Sequence, residues 1–406
     1  MAMGGRIDLG DVPVVDNHCH PVEARQSTDP ATWREYFTES PDFRMRTEDA
    51  AHTTFYRRLI RAMATFHGVE ATEEAVLRAR GRLHEDQCVD ALFADAGIAG
   101  IVVDTGYPPP ETALPESAFR TTGGVLQIRL LRLELFFQRL VAEHSRYDDL
   151  VAAASAGLAD VRESGHGGLK SIAAYRTGLA IERWPEEDAR TAFAEARSEV
   201  GRRGAVRLGH KPLLDTLLHL AFTAAAAQQL PVQFHVGYGD PDADLRTANP
   251  LQLRALLEER AYRAMPIVLL HGCWPYVREG AYLASVYGNV HLDLSYAIPF
   301  LSTAELRAMT RAALGVAPTT KLLYSSDGAR VPELHWLGAH TARNVFGAVL
   351  AELVADGDLG AEDARLAGER VLRDNAWHLY GFPAPVSHSP GSPRVGHSAG
   401  GVLGSE

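Results

Sequence analysis

Eight short apolar runs recur along the chain, each closed by polar or turn residues and separated from the next by room for at least one helix. They are Val12–Asn17, Ile98–Asp104, Val125–Leu130, Gly168–Ala174, Pro231–His235, Pro266–His271, Val290–Leu294 and Lys321–Ser326. Near-continuous apolar strands alternating with helical stretches are the pattern of a parallel sheet covered by helices. Eight such units predict an α/β fold of the (β/α)8 TIM-barrel type. A doubly wound open sheet is the alternative, but no Gly-rich phosphate loop follows the first run, so nucleotide binding has no support.

Two stretches exceed a minimal barrel. Residues 23–96 separate the first two runs by far more than one helix and contain helical patterns at Thr53–Phe66 and Glu73–Leu83. This predicts a helical insertion over the barrel mouth. Residues 177–230 leave room for about two helices. The expected organisation is one barrel over residues 1–382 followed by a flexible Ser/Gly/Pro-rich tail, 383–406, whose histidines read as solvated.

Composition narrows the class. With 46% hydrophobic and 22% charged residues the chain is globular, and at 406 residues it has a core that needs no staples. A net charge of −11 without a Lys/Arg-rich run speaks against nucleic acid and anionic membranes as partners. Three cysteines, Cys19, Cys88 and Cys273, fit no disulfide or zinc-knuckle pattern and suit a reducing compartment. Neither a signal peptide nor an apolar span of membrane length is apparent, so a cytoplasmic protein, with a homodimer as the default assembly, is expected.

The chemistry lies at the ends of the runs, because barrel enzymes build their sites at the C-terminal face of the strands. His18 and His20 close the first run; their i, i+2 spacing puts both rings on one side. His235 closes the fifth, His271 the sixth, Asp327 follows the eighth, and Lys170 lies near the end of the fourth. A lone histidine at a strand end is ordinarily structural. A His-X-His pair followed by single histidines at two consecutive strand ends and an aspartate at the last is a ligand set, and imidazole plus carboxylate suits zinc or a similar divalent ion. Such an ion lowers the pKa of bound water toward about 7, supplying hydroxide at neutral pH. A carboxylate at the same water can move its proton, a role given to Asp327. Tyr175, Arg176, Asp240, Arg246, Trp274, Glu333 and His335 follow strand ends and are candidates for contacting substrate, and an arginine among them suits a carboxylate. Arg129 and Arg132 are weaker candidates, since a helix surface explains their charge equally well. Cys19 should face away from the two histidines, and Cys273 reads as packing.

These residues sit in runs that resemble the amidohydrolase superfamily, in particular the branch containing the N-terminal domain of FluG-like and nodulin-like proteins. The resemblance spans about Val12 to Phe382 and rests on VVDNHCHPV, GLKSIAAYRTGL, FHVGYGDPDADLRTANP, LLHGCWPYVREGAYLASVYGNVHLDLS, LLYSSDGARVPELHWLGA and LRDNAWHLYG. It implies a more buried metal at His18, His20 and Asp327. It implies His235 and His271 at a second metal, or His271 beside substrate if one ion binds. In binuclear relatives a strand-four lysine is carboxylated and bridges both ions; Lys170 holds that position.

The function implied is metal-dependent hydrolysis of a C–N bond: an amide, a γ-glutamyl bond or a peptide-like bond in specialised metabolism, such as modified-peptide maturation. Asp327 and His271 are the catalytic residues, and the substrate is a small molecule or peptide-like. The alternatives are a metal-dependent non-oxidative decarboxylase, with one ion and no bridging lysine, and a non-catalytic binding barrel.

Overall fold

The computed structural model describes residues 5–115 and 124–383. Strand β1 is Val14–Cys19, β2 Ile98–Asp104, β3 Leu126–Arg132, β4 His166–Ser171, β5 Val232–Phe234, β6 Ile267–Leu269, β7 Val290–Ser295 and β8 Leu322–Ser325. Each pairs in parallel with the next, in the order β1 to β8. Just beyond β8 the Asp327 amide donates to the His18 carbonyl at 3.0 Å and the His20 amide to the Gly328 carbonyl at 2.8 Å, bringing the last strand against the first. The expected (β/α)8 barrel is therefore the fold.

Most boundaries fall within two residues of the apolar runs. Two differ for physical reasons. β3 continues through Arg132 before its helix, Leu133–Glu143, begins, although RLLR reads as helix in isolation; pairing with β2 and β4 holds it extended. β4 ends at Ser171, and Ala173–Tyr175 forms a 3₁₀ turn instead of further strand. The Ser171 hydroxyl accepts from the Ala173 amide and turns the chain.

β1 carries a bulge: Asp16 is level with Ile101, and Cys19, three residues on, with Val103, only two residues on. The extra residue lets Asn17 reach Asp293 on β7, with Nδ2 donating to Oδ2 at 3.0 Å, while His18 and His20 both meet Asp327. Cys19 points the other way, into the apolar layer outside the barrel, as expected. Inside the barrel Val15, Val102, Leu130, Val268, Leu270 and Leu323 form a separate apolar layer. Ala376 and Tyr380 of the helix Asn375–Tyr380, with Phe382, pack against that layer. Tyr380 accepts a 2.7 Å hydrogen bond from Gln233 of β5.

The insertion is helical, with five helices: Pro30–Arg34, Phe43–Thr47, Thr54–His67, Glu73–Arg80 and Glu85–Asp95. Thr53 caps the longest, accepting from the Tyr56 amide, and Gly68 ends it with a φ of 65°. That helix buries Phe55, Tyr56, Leu59, Ile60 and Met63. Residues 177–230 hold two helices, Glu186–Arg203 and Lys211–Gln228. Among the described residues, no helix is long and apolar enough to cross a membrane. The tail expected from 383 falls, beyond Pro383 itself, outside the described residues.

Candidate metal centre

The strand ends bring together side chains that lie far apart in sequence. Asp327 is the hub. Its Oδ1 lies 3.4 Å from His18 Nε2 and 3.7 Å from His20 Nε2, and its Oδ2 lies 3.3 Å from His271 Nδ1. His271 Nε2 is 3.0 Å from His235 Nδ1. Lys170 Nζ stands 3.3 Å from His18 Nε2. The six residues expected as ligands thus form one continuous cluster. Within it His18, His20 and Asp327 each offer a ligand atom, all within 4.8 Å of one another.

Two of these residues hold backbones that L-residues avoid: φ is 63° at His271 and 56° at Asp327. Non-glycine residues in this region cost on the order of 1–2 kcal/mol, and such strain concentrates at functional sites. At His271 the amide donates to Asp293 Oδ1 at 3.0 Å, which holds the turn.

The electrostatics favour neutral imidazoles beside an ionised acid. Burial pushes His18 and His235 well below the ordinary histidine value and His271 down to about 4. Burial alone would raise Asp327, but His271, His20 and His18 outweigh it and hold the carboxyl well below its usual range. Burial brings Lys170 down to about 8. The histidines therefore present lone pairs at neutral pH, the form a metal requires.

The outward nitrogens fix the inward ones. His20 Nδ1 faces the Asp104 carbonyl at 3.0 Å and must donate, which leaves Nε2 as a free ligand atom. His235 Nε2 faces the Tyr238 carbonyl at 2.6 Å and must donate. A proton on His271 Nδ1, facing the Asp327 carboxylate, leaves Nε2 of His271 and Nδ1 of His235 as two lone pairs 3.0 Å apart. In that tautomer a cation can satisfy the pair; in the other, His271 Nε2 donates to His235 Nδ1 while Nδ1 stands 3.2 Å from Ser295 Oγ. The donor set, imidazole nitrogens with one carboxylate, fits zinc and its borderline neighbours.

Around the cluster lies a cavity of about 700 Å³. Its lining includes the expected Tyr175, Arg176 and Asp240. Tyr175 packs on His235 with ring centroids 4.2 Å apart. Four other candidates are elsewhere. Glu333 is fully buried and paired with Arg80 at 2.8 Å, because the first turn of the helix Pro332–Ala355 faces the insertion; it ties the insertion to the barrel. Trp274 packs against Phe300 outside the lining, and its carbonyl accepts from the Tyr238 amide at 2.9 Å. Arg246 is exposed and paired with Asp244. His335 is buried beneath the site, its Nε2 3.1 Å from the His20 carbonyl.

Arg132, a weaker candidate from the sequence, stands in the cavity lining. It ends β3 and grips Asp104, whose carboxyl it holds down at about 2 despite full burial. Tyr238 was not singled out, though it stands three residues beyond His235; its hydroxyl donates to Asp327 Oδ2 at 2.7 Å. Nor were Glu35, Tyr36 and Glu39 of the insertion, which line the mouth and carry no local pattern that marks them.

Known proteins are similar in both sequence and shape. Residues 169–382, just over half of the chain, match the amidohydrolase family. Protein fluG of Emericella nidulans is 35% identical over 253 residues, 60% of this chain but only 28% of that protein. A solved structure from Lactobacillus casei, described provisionally as a metal-dependent hydrolase, superposes with a TM-score of 0.82 at 26% identity, covering 93% of this chain and 98% of that one. Glucuronate isomerase from Caulobacter crescentus shares the fold, with a TM-score of 0.64 at 15% identity over 94% of each chain.

Proposed function

The chain belongs to the amidohydrolase family, and from that premise we propose that it hydrolyses a C–N bond with a divalent ion held by His18, His20 and Asp327. The observation that carries this is the Asp327 carboxylate, with one oxygen toward His18 and His20 and the other toward His271 and Tyr238. A divalent ion bound there supplies Lewis acidity and a water of lowered pKa. His235, His271 and Lys170 are the residues for a second ion, with Lys170 as its carbamate.

The chain's own groups have separate tasks. Asp327 stays ionised at neutral pH and keeps 18% of its side chain open to the cavity. It can accept a proton from water and deliver it to the departing amine. His271 and Tyr238 flank it and hold the carboxylate in place, each facing its Oδ2. Arg132 and Asp104 orient His20, since the Asp104 carbonyl receives its Nδ1 proton. The insertion, through Tyr36 and Glu39, walls the cavity and limits access of bulk water.

Product analysis on a panel of N-acyl amino acids, amino-acid amides and γ-glutamyl amides tests this reading. Amine or ammonia release should stop on chelation and return with zinc. Release of carbon dioxide from a carboxylic acid, with no C–N cleavage, would instead assign the protein as a decarboxylase.

A further inference from the structure

Arginines in the cavity lining differ in one respect: whether a carboxylate of the protein already occupies them. Arg46 is paired with Glu35, Arg132 with Asp104, Arg207 with Asp242 and Arg330 with Glu23. Arg176 has no such partner among the described residues. Its only hydrogen bond there is a long one, 3.5 Å, from Nη1 to the carbonyl of its neighbour Tyr175, and its Nε is buried without a partner. The residue follows the 3₁₀ turn after β4, a few positions beyond Lys170, so the same strand end presents both to the cavity.

We propose that Arg176 is the anchor for a carboxylate on the substrate, and that the hydrolase acts on molecules carrying a free carboxylate beside the scissile bond. A partly buried guanidinium without a partner is unfavourable in the empty protein. Burial and Arg207 act most strongly against its charge and Arg132 adds to them, while Glu134 and Asp242 offset only part of this. A planar carboxylate answers the guanidinium with two parallel hydrogen bonds from its terminal Nη1 and Nη2, which no carboxylate of the described residues occupies. Arg132 cannot take this role without releasing Asp104, nor Arg207 without releasing Asp242. Selectivity for an acid therefore falls on Arg176.

This inference rests on the same cavity as the hydrolase reading, so its test is a binding measurement that needs no turnover. The probes are 3-benzoylpropionate and its 2-methyl and 2-benzyl derivatives, in which CH2 replaces the amide N–H of the N-benzoyl amino acids so that no C–N bond can be cut between the benzoyl group and the acid, each as the free acid and as the matching carboxamide. Affinities are measured by calorimetry on zinc-loaded wild type, Arg176→Gln and Arg176→Lys, with metal content and thermal midpoint recorded for each. The wild type should favour acids over amides by about tenfold to a hundredfold, the range expected of a charge-assisted pair. Arg176→Gln should lose that preference with its zinc retained, and Arg176→Lys should keep part of it. An acid preference that survives in Arg176→Gln belongs to the metal and overturns the proposal. A wild type without an acid preference, or without binding to any probe, overturns it as well. Acid binding that depends on Arg176, in a protein that cleaves no C–N bond, would leave this inference standing and remove the hydrolase reading.

Discussion

The phenol of Tyr238 donates a 2.7 Å hydrogen bond to Oδ2 of Asp327 across 89 residues of sequence. Its backbone carbonyl accepts from His235 Nε2 at 2.6 Å. One residue thus fixes both a ring from the end of β5 and the carboxylate beyond β8. Tyr238→Phe should keep the fold and the metal but free Asp327 to turn. Hydrogen bonds to charged groups contribute about 1.5–3 kcal/mol, so kcat/KM on the best amide of the panel should fall about tenfold to a hundredfold. An unchanged kcat/KM would remove Tyr238 from the site.

Gly237 makes that geometry possible. Its φ is 81°, and a Cβ there would lie 2.2 Å from the Trp274 carbonyl oxygen. That same carbonyl accepts from the Tyr238 amide. Gly237→Ala should therefore cost about 2 kcal/mol or more in urea denaturation and lower metal retention, since relief of the clash must shift backbone. Full stability with full metal content would contradict this.

Lys170 is buried and unpaired with any carboxylate among the described residues, and burial lowers its pKa to about 8. A sizeable neutral fraction near pH 8 makes the amine competent to add carbon dioxide. Zinc-loaded wild type in ¹³C-bicarbonate should show a carbamate carbon signal that Lys170→Ala lacks, and Lys170→Ala should hold fewer ions per chain. Equal metal content in the two proteins would point to a single-ion site.

The order and ends of the strands were legible because barrel strands are buried on both faces and their apolar runs stand out between helices. The six clustered residues were legible for the same reason: each falls where a run stops. What could not be read was direction within the loops. Glu333 and Trp274 follow strand ends just as Arg176 and Asp240 do, yet the helix at Pro332 turns Glu333 toward Arg80, and Phe300 draws Trp274 out of the lining. Arg132 is hard to place from sequence because RLLR has helical character alone, and only pairing with neighbouring strands makes its end a strand end. The contribution of Tyr36 and Glu39 depends on how the insertion folds back over the mouth, which no local pattern encodes.

Asp104 links stability to pH. Burial opposes its charge, but Arg132 holds the folded-state pKa at about 2, below the ordinary 3.8. The unfolded state therefore binds the proton more readily, and the stabilisation is present in full above about pH 4 and lost as pH falls toward about 2. Asp104→Asn should lose roughly 3 kcal/mol at neutral pH, because it leaves Arg132 buried without its partner. The gap between wild type and variant, from denaturation at several pH values, should narrow on acidification through that window. A constant gap would show that the pair contributes no such linkage.

The most direct measurement is the metal content of purified protein, by elemental analysis after growth with added zinc, for wild type and for a His18→Asn/His20→Asn double variant of confirmed fold. At least one tightly held divalent ion per wild-type chain and none at that site in the variant is the expected result. A folded wild type that binds no divalent ion, or a variant that retains the full complement, would contradict a metal centre built on His18, His20 and Asp327.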